Sequence, residues 1–469
     1  MADSMENPHS IKTAPRGWAI LLMIGPSIVW ASEYIGSGEV IIATRTGAIL
    51  GSSVLWAVII GIFLKFWIGM SGARYTVCTG EGMMDMFSRI PGPSNWAVWI
   101  IMITQFVAGL FAIGSVAAAG GAFLNQIIPV NTTIGGWIIA FVAFLIAWTG
   151  EFKWMKITMS LLILVTIVGV LYVAITVFPS FSEFIHGLIP HKPELLDWVT
   201  DREIVENPWS EILPLLGWGA GGFASQVWYS YWVMGAGYGV TEKNRYGIRA
   251  DLSKLSNLDT PDAINLKGWI RMVTSDSSFA MIIGILVTGG FLIAGAGVLG
   301  PQEIAPEGKE VARQLSGIFA SQWGNAGAVL FLLGGLAALL STSIGQQAGW
   351  PRLMADSLRI CVPAFNRRLN WKTQFRLFLF LFFGGSMIII YTFSYQPVAL
   401  VKFAAIFEGL LLTPLQAILI LVALYFILPG FFKPDVARIL RPHWTIAAGL
   451  IVAFLFFMYF CIYQLPRVW

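Results

Sequence analysis

Charge is scarce in this sequence. Only 12% of its 469 residues are charged, against roughly 25% in an ordinary soluble domain, while 57% are hydrophobic and mean hydropathy is +0.74. A chain of that composition has lipid as its main solvent. The sequence also lacks alternating apolar and polar strands of about 10 residues, which excludes a membrane β-barrel and leaves helices, whose backbone groups are satisfied within each segment. Cysteine is rare: Cys78, Cys361 and Cys461 lie at unrelated spacings, so they read as packing residues and form neither a disulfide framework nor a metal motif. Histidine is rare too. His9, His186, His191 and His443 all fall in tails, loops or span ends, with no His-rich metal set and no nucleophile–base pair. These gaps argue against a membrane enzyme. The net charge of +4 gives no reason to invoke nucleic acid.

What is present is a series of long apolar runs. They predict about eleven transmembrane helices near 17–46, 50–72, 95–127, 132–148, 154–178, 211–239, 273–299, 315–349, 377–394, 397–429 and 442–464. The polar segment 1–16 has no cleavage site after a short apolar region and predicts a cytosolic tail rather than a signal peptide. Basic residues test the count. Of the 29, 21 fall on the side of the N-terminus and 5 on the other, with Arg45, Lys65 and Lys402 inside spans. That bias predicts a multi-pass plasma (inner) membrane protein, N-terminus cytoplasmic and C-terminus extracytoplasmic.

Two spans look broken. The first carries Gly36-Ser37-Gly38 at its middle, and the sixth carries Gly219, Gly221 and Gly222 at a similar depth. Glycine lowers the cost of leaving helical geometry, and the freed backbone groups then need partners or a wet cavity. Breaks in helices 1 and 6 are the pattern of two inverted five-helix repeats, 17–178 and 211–429, joined by an outer loop at 179–210 and followed by an extra helix within 430–469. Close helix packing through small residues is the plainer alternative.

Helix 1 resembles the Nramp divalent-metal transporter family. The family's G-Y-I-D-P-G-N and A-G-A are matched by Glu33-Tyr34-Ile35-Gly36-Ser37-Gly38-Glu39 and Thr46-Gly47-Ala48. Further similarity lies in Thr79-Gly80-Glu81, in Phe291 to Gly297, and in Gly335 to Ala338 followed by Ser341-Thr342 and Ala348-Gly349. The resemblance extends over about 17–464 and implies the inverted-repeat, LeuT-like transporter fold shared with amino-acid and neurotransmitter carriers. The family's chemistry, however, is replaced. Its metal-binding aspartate and asparagine fall on Gly36 and Glu39, its Met-Pro-His on Ser225, Gln226 and Val227, and its helix 3 acidic pair on Gln105 and Ala108. The soft ligands a transition metal prefers are gone.

Gly36-Ser37-Gly38 also resembles the G-S-G of amino-acid carriers. A half-helix starting after a break presents unpaired N–H groups and roughly half a positive charge. Together with a second such terminus near Gly222, Ser225 and Gln226, this predicts a site for a small anion or carboxylate, bicarbonate or an amino acid, carried with Na⁺ or H⁺. A divalent carrier for Mg²⁺ or Mn²⁺, using Glu39, Ser225 and Gln226, is the alternative, and an organic-cation carrier a further one. Glu39 in the first turn of the outer half-helix could ligate a cation, carry a proton, or pair with Lys65 or Arg45. Lys65 is expected to pair with Glu33 or Glu39, to attract the anion, or to snorkel; Arg45 is expected to anchor at the interface. Ser341, Thr342 and Ser343, with carbonyls near Trp30 to Glu33, form the expected Na⁺ site, with no other cofactor. Around these, Gln105, Gln346 and Glu408 are candidate supporting residues, and of the aromatic run Trp228, Tyr229, Tyr231 and Trp232 one or two are expected to line the cavity, with Trp228 and Tyr229 singled out.

Overall fold

A computed structural model describes residues 11–149, 152–241, 246–307, 310–394 and 396–468. Residues 1–10 of the expected tail, His9 included, lie outside them. Among the described residues all regular structure is helical. Eight helices are long and apolar enough to cross a membrane by length and composition. The other expected spans are the two interrupted ones and the 16-residue helix Thr132–Ala147. Large apolar side chains are left bare on the outside, among them Phe426, Tyr391, Ile388 and Leu161. A water-facing surface does not carry such a belt. This is a multi-pass helical membrane protein.

The helices that build the site are α1 (Pro26–Tyr34), α2 (Thr44–Leu50), α3 (Leu55–Thr79), α4 (Trp96–Ile127), α5 (Trp209–Trp218), α6 (Phe223–Ala236), α7 (Thr260–Ala294) and α8 (Val311–Cys361). Span 1 is interrupted at Ile35–Ser37 and resumes in a π-helical segment, Gly38–Ala43, that leads into α2. Span 6 is interrupted between α5 and α6. There Ala220 (φ 59°) and Gly221 (φ 73°) are left-handed and Gly222 is extended. For Ala220 this conformation carries a steric penalty that only fixed surroundings tolerate. A Cβ on Gly222 would lie 1.6 Å from Glu408 Oε2, so no larger residue fits there.

Helix 7 is the ruler for helix 1. The two run parallel at a nearly constant offset of about 250 residues. Asp276 bonds Gly25 and Ser27, Tyr34 bonds the Ala280 carbonyl at 2.5 Å, and Gly47 and Gly295 press against the Leu292 and Thr44 carbonyls. Asp276 supplies the N-terminal cap of α1: its carboxylate accepts from the Gly25 and Ser27 amides (3.2 and 2.9 Å), the Ser27 hydroxyl (2.9 Å) and the Tyr229 hydroxyl (2.8 Å). Its negative charge complements the helix dipole.

Candidate functional site

The two interruptions face one another and enclose a cavity of about 20 Å³, room for about one water or one bare ion. Nine of the expected residues line it: Glu33, Ser37, Gly38, Gly222, Ser225, Trp228, Thr342, Gln346 and Glu408. Gly221 of the expected break joins them, and so do Tyr34, Trp218 and Trp350, which were not expected there. Every polar donor other than the indoles is an oxygen or amide group. No sulfur or imidazole reaches the cavity among the described residues.

At each break one amide already has a carboxylate acceptor, which the anion expectation did not foresee. Glu408 lies in a second π-helical segment, Ala405–Leu410. Its carboxylate accepts from the Ala224 amide at 2.7 Å and from Trp218 Nε1 at 2.9 Å, so it caps the N-terminus of α6. Glu39, in the π-helical segment after the first break, turns back to accept from the Gly36 amide at 2.9 Å. Each severed helix thus already holds a resident carboxyl group where an anion was expected. Both carboxylates come from π-helical turns, whose widening re-aims a side chain. Glu39 does not line the cavity; its other oxygen is buried beside the Thr288 hydroxyl of α7.

Glu33, at the end of α1, accepts a short hydrogen bond from the Ser225 hydroxyl, which in turn accepts from Trp30 Nε1 at 3.1 Å. Trp30 stacks on Tyr229 at 4.3 Å, which places both rings behind the cavity wall. Thr342 packs against Gly36, where a Cβ would meet its Oγ1 at 2.0 Å. The side-chain oxygens of Ser37, Thr342 and Gln346 are buried with no partner. Trp228 meets Trp350 edge-on at 4.7 Å, and Trp350 Nε1 donates to Gln105 at 3.1 Å. Tyr231 and Trp232 are buried away from the cavity.

Several expected pairings do not form. Lys65 pairs with neither Glu33 nor Glu39: its ammonium donates to the Gly217 and Gly221 carbonyls at 2.5 and 2.7 Å, the free C-terminal end of α5. A cation there answers the helix dipole, a partner no side-chain pattern reveals. Arg45 is no interface anchor. It is buried in ion pairs with Glu211 (3.0 Å) and Glu307 (2.9 Å), while Lys402 reaches Glu211 at 3.0 Å. Gln226 turns from the cavity to donate to the Ala220 carbonyl at 2.8 Å. At the expected Na⁺ site, Ser341 donates to the Ser32 carbonyl at 2.7 Å, and Ser343 is buried without a partner. Sequence reasoning missed Asp276; its signal was an acid inside an apolar span, a rare and costly placement.

A sequence profile described as natural resistance-associated macrophage protein-like matches residues 27–199. An uncharacterized protein of Pasteurella multocida is 23% identical over 391 residues, 82% of this chain and 80% of that protein. The divalent metal cation transporter MntH of Yersinia enterocolitica is 29% identical over 99 residues, a local match covering 20% of this chain and 24% of that one. Among solved structures, the Eremococcus coleocola manganese transporter, in complex with an aromatic bis-isothiourea substituted compound, superposes with a TM-score of 0.65. That alignment is 16% identical and covers 97% of this chain and 90% of the other. Residues 27–199 are thus similar to the Nramp family, and the chain as a whole shares the fold of that solved structure. MhsT in complex with L-phenylalanine shares the fold more distantly, with a TM-score of 0.55, 12% identity and coverage of 95% and 99%. The chain accordingly has the LeuT-like fold.

Proposed function

We propose that this Nramp-related transporter carries a hard divalent cation of the Mg²⁺ or Mn²⁺ class, bound between Glu33 and Glu408. One observation carries the reading: at each severed helix end a resident carboxyl group already takes an amide that an anionic cargo would use. Glu33 and Glu408 line the cavity, and behind its wall lie the buried Glu39 and the buried ammonium of Lys65. With all four groups ionised, a cation of charge two brings their sum to zero, whereas an anion would raise the net negative charge in a low-dielectric site. The remaining donors, Ser37, Ser225, Thr342 and Gln346, are hard oxygens, which suit Mg²⁺ and Mn²⁺ and disfavour thiophilic metals. The small volume also leaves no room for an amino acid in this conformation.

A wider cavity of about 1490 Å³ at the Arg45 end supports the same sign. Its described lining includes Asp201, Glu203, Glu206, Glu211, Glu307 and Glu310 against Arg45, Lys402 and Arg467, an acidic approach that concentrates cations. The solved relative described as a manganese transporter and the MntH relatives point the same way. Na⁺ coupling through Ser341 and the Ser32 carbonyl is part of this proposal, supported by their 2.7 Å contact. The test is flux in proteoliposomes: uptake of Mg²⁺ or Mn²⁺, with and without Na⁺ and pH gradients, and no flux of labelled bicarbonate or amino acids. Anion flux without divalent uptake would overturn the reading.

A further inference from the structure

We propose a second metal site, outside the transport path, built by His186, His191 and Glu194 for a divalent transition metal of the Zn²⁺ class. By sequence these histidines carry no metal role, since 186, 191 and 194 match no familiar ligand spacing. The fold brings them together. The helix Phe181–Leu188 starts with a reciprocal cap between Ser180 and Glu183, and His186 occupies its last turn. The chain then reverses at Ile189, whose amide bonds the His186 carbonyl at 3.1 Å, and returns His191 and Glu194 to the same spot. The His186 and His191 rings stand 4.4 Å apart, and His186 Nε2 lies 3.8 Å from Glu194 Oε2. One ligand atom from each of the three residues falls within 4.8 Å of the others.

The second feature is the state of His191. Its Nδ1 contacts the Ile189 carbonyl at 2.7 Å, which directs a proton to Nδ1 and leaves the lone pair on Nε2. That Nε2 is shielded from solvent and has no hydrogen-bond partner. A ring fixed by a carbonyl at one nitrogen and idle at the other is the arrangement of a metal-ligating imidazole. Tetrahedral Zn²⁺ with Zn–N near 2.1 Å sets its ligands about 3.4 Å apart, so the trio, within 4.8 Å, needs to close by up to roughly 1.4 Å. Two imidazoles and a carboxylate leave a fourth position for water. The scaffold is firm: the Leu196 amide bonds the Ile49 carbonyl at 3.1 Å, and Gly187 presses on the Ser52 carbonyl, so the loop is docked on the end of α2. The donor chemistry separates the two sites, imidazole-rich here and oxygen-only at the centre.

The full chain in detergent, stripped with a chelator, is titrated with Co²⁺ and followed by its visible d–d absorption, then back-titrated with Zn²⁺. The expected result is one equivalent of low-coordinate Co²⁺ displaced by Zn²⁺, with affinity falling at least tenfold in H186A and in H191A and unchanged in H443A. A Zn²⁺-dependent rise in the thermal midpoint, present in wild type and absent in H191A, guards against a misfolded variant. A cobalt spectrum of equal strength in H191A, or no spectrum and no thermal shift in the wild type, overturns the site.

Discussion

Replacing Glu408 by Gln changes one atom and asks the central question about charge. In the native chain the carboxylate accepts from the Ala224 amide and from Trp218 Nε1 while facing the cavity. A glutamine keeps an oxygen for the Ala224 amide at 2.7 Å. Its NH₂ then confronts the Trp218 indole N–H, a donor against a donor, and the negative charge beside the cargo is gone. A hydrogen bond to a charged group contributes about 1.5–3 kcal/mol. Removing one such bond at the helix cap or at the ion weakens divalent binding by roughly 2–3 kcal/mol, about 30- to 150-fold in KM. The assay is initial-rate Mn²⁺ or Mg²⁺ uptake in proteoliposomes, with the thermal midpoint of the same preparation as the folding control. A Glu408→Gln protein that melts as the wild type and transports the divalent ion with unchanged KM would refute the charge argument. Faster uptake of an anion by that variant would refute it more severely, since it would mean the carboxylate excludes the true cargo.

Two other perturbations follow from the geometry. Gly36→Ala drives a methyl to within 2.0 Å of Thr342 Oγ1 and should abolish uptake, whereas adding Thr342→Ala restores the space; a double-mutant cycle on uptake should show a coupling of about 1–3 kcal/mol, and strict additivity would disprove the contact. Asp276→Ala strands the Gly25 and Ser27 amides and the Tyr229 hydroxyl, so thermal unfolding in detergent should register a loss of about 3 kcal/mol, with a shift under about 0.5 kcal/mol counting against the cap.

The sequence made the outline legible and the partners illegible. Runs of apolar residues and two glycine clusters located the spans and the interruptions, because lipid forces each span to satisfy its own backbone and glycine marks where that rule is relaxed. Glu33, Ser225, Thr342 and Glu408 were identifiable as polar groups at mid-span, and all four meet at the cavity. What each one does was hidden. Glu408 caps an amide 184 residues away, and Asp276 caps one 249 residues away, so only tertiary structure reveals that these helix ends are already capped. Lys65 has carbonyls for partners, and carbonyls leave no trace in a sequence. The expectation of an anion site followed from bare helix ends; at each end one amide is in fact taken by a carboxyl group. His186, His191 and Glu194 show the converse, a grouping created by a chain reversal at Ile189 rather than by helical spacing.

The parallel course of helices 1 and 7 has a mechanical corollary. Asp276 grips the start of α1, and the backbones at Gly47 and Gly295 touch carbonyls of the opposite helix, leaving no lubricating side-chain layer between them. Sliding along such a seam would tear hydrogen bonds at one end and jam main chain against main chain at the other. Both pieces of helix 1 must therefore travel with helix 7 as a single strut, and whatever rocking admits and releases the cargo has to be taken up where this strut meets the rest of the bundle.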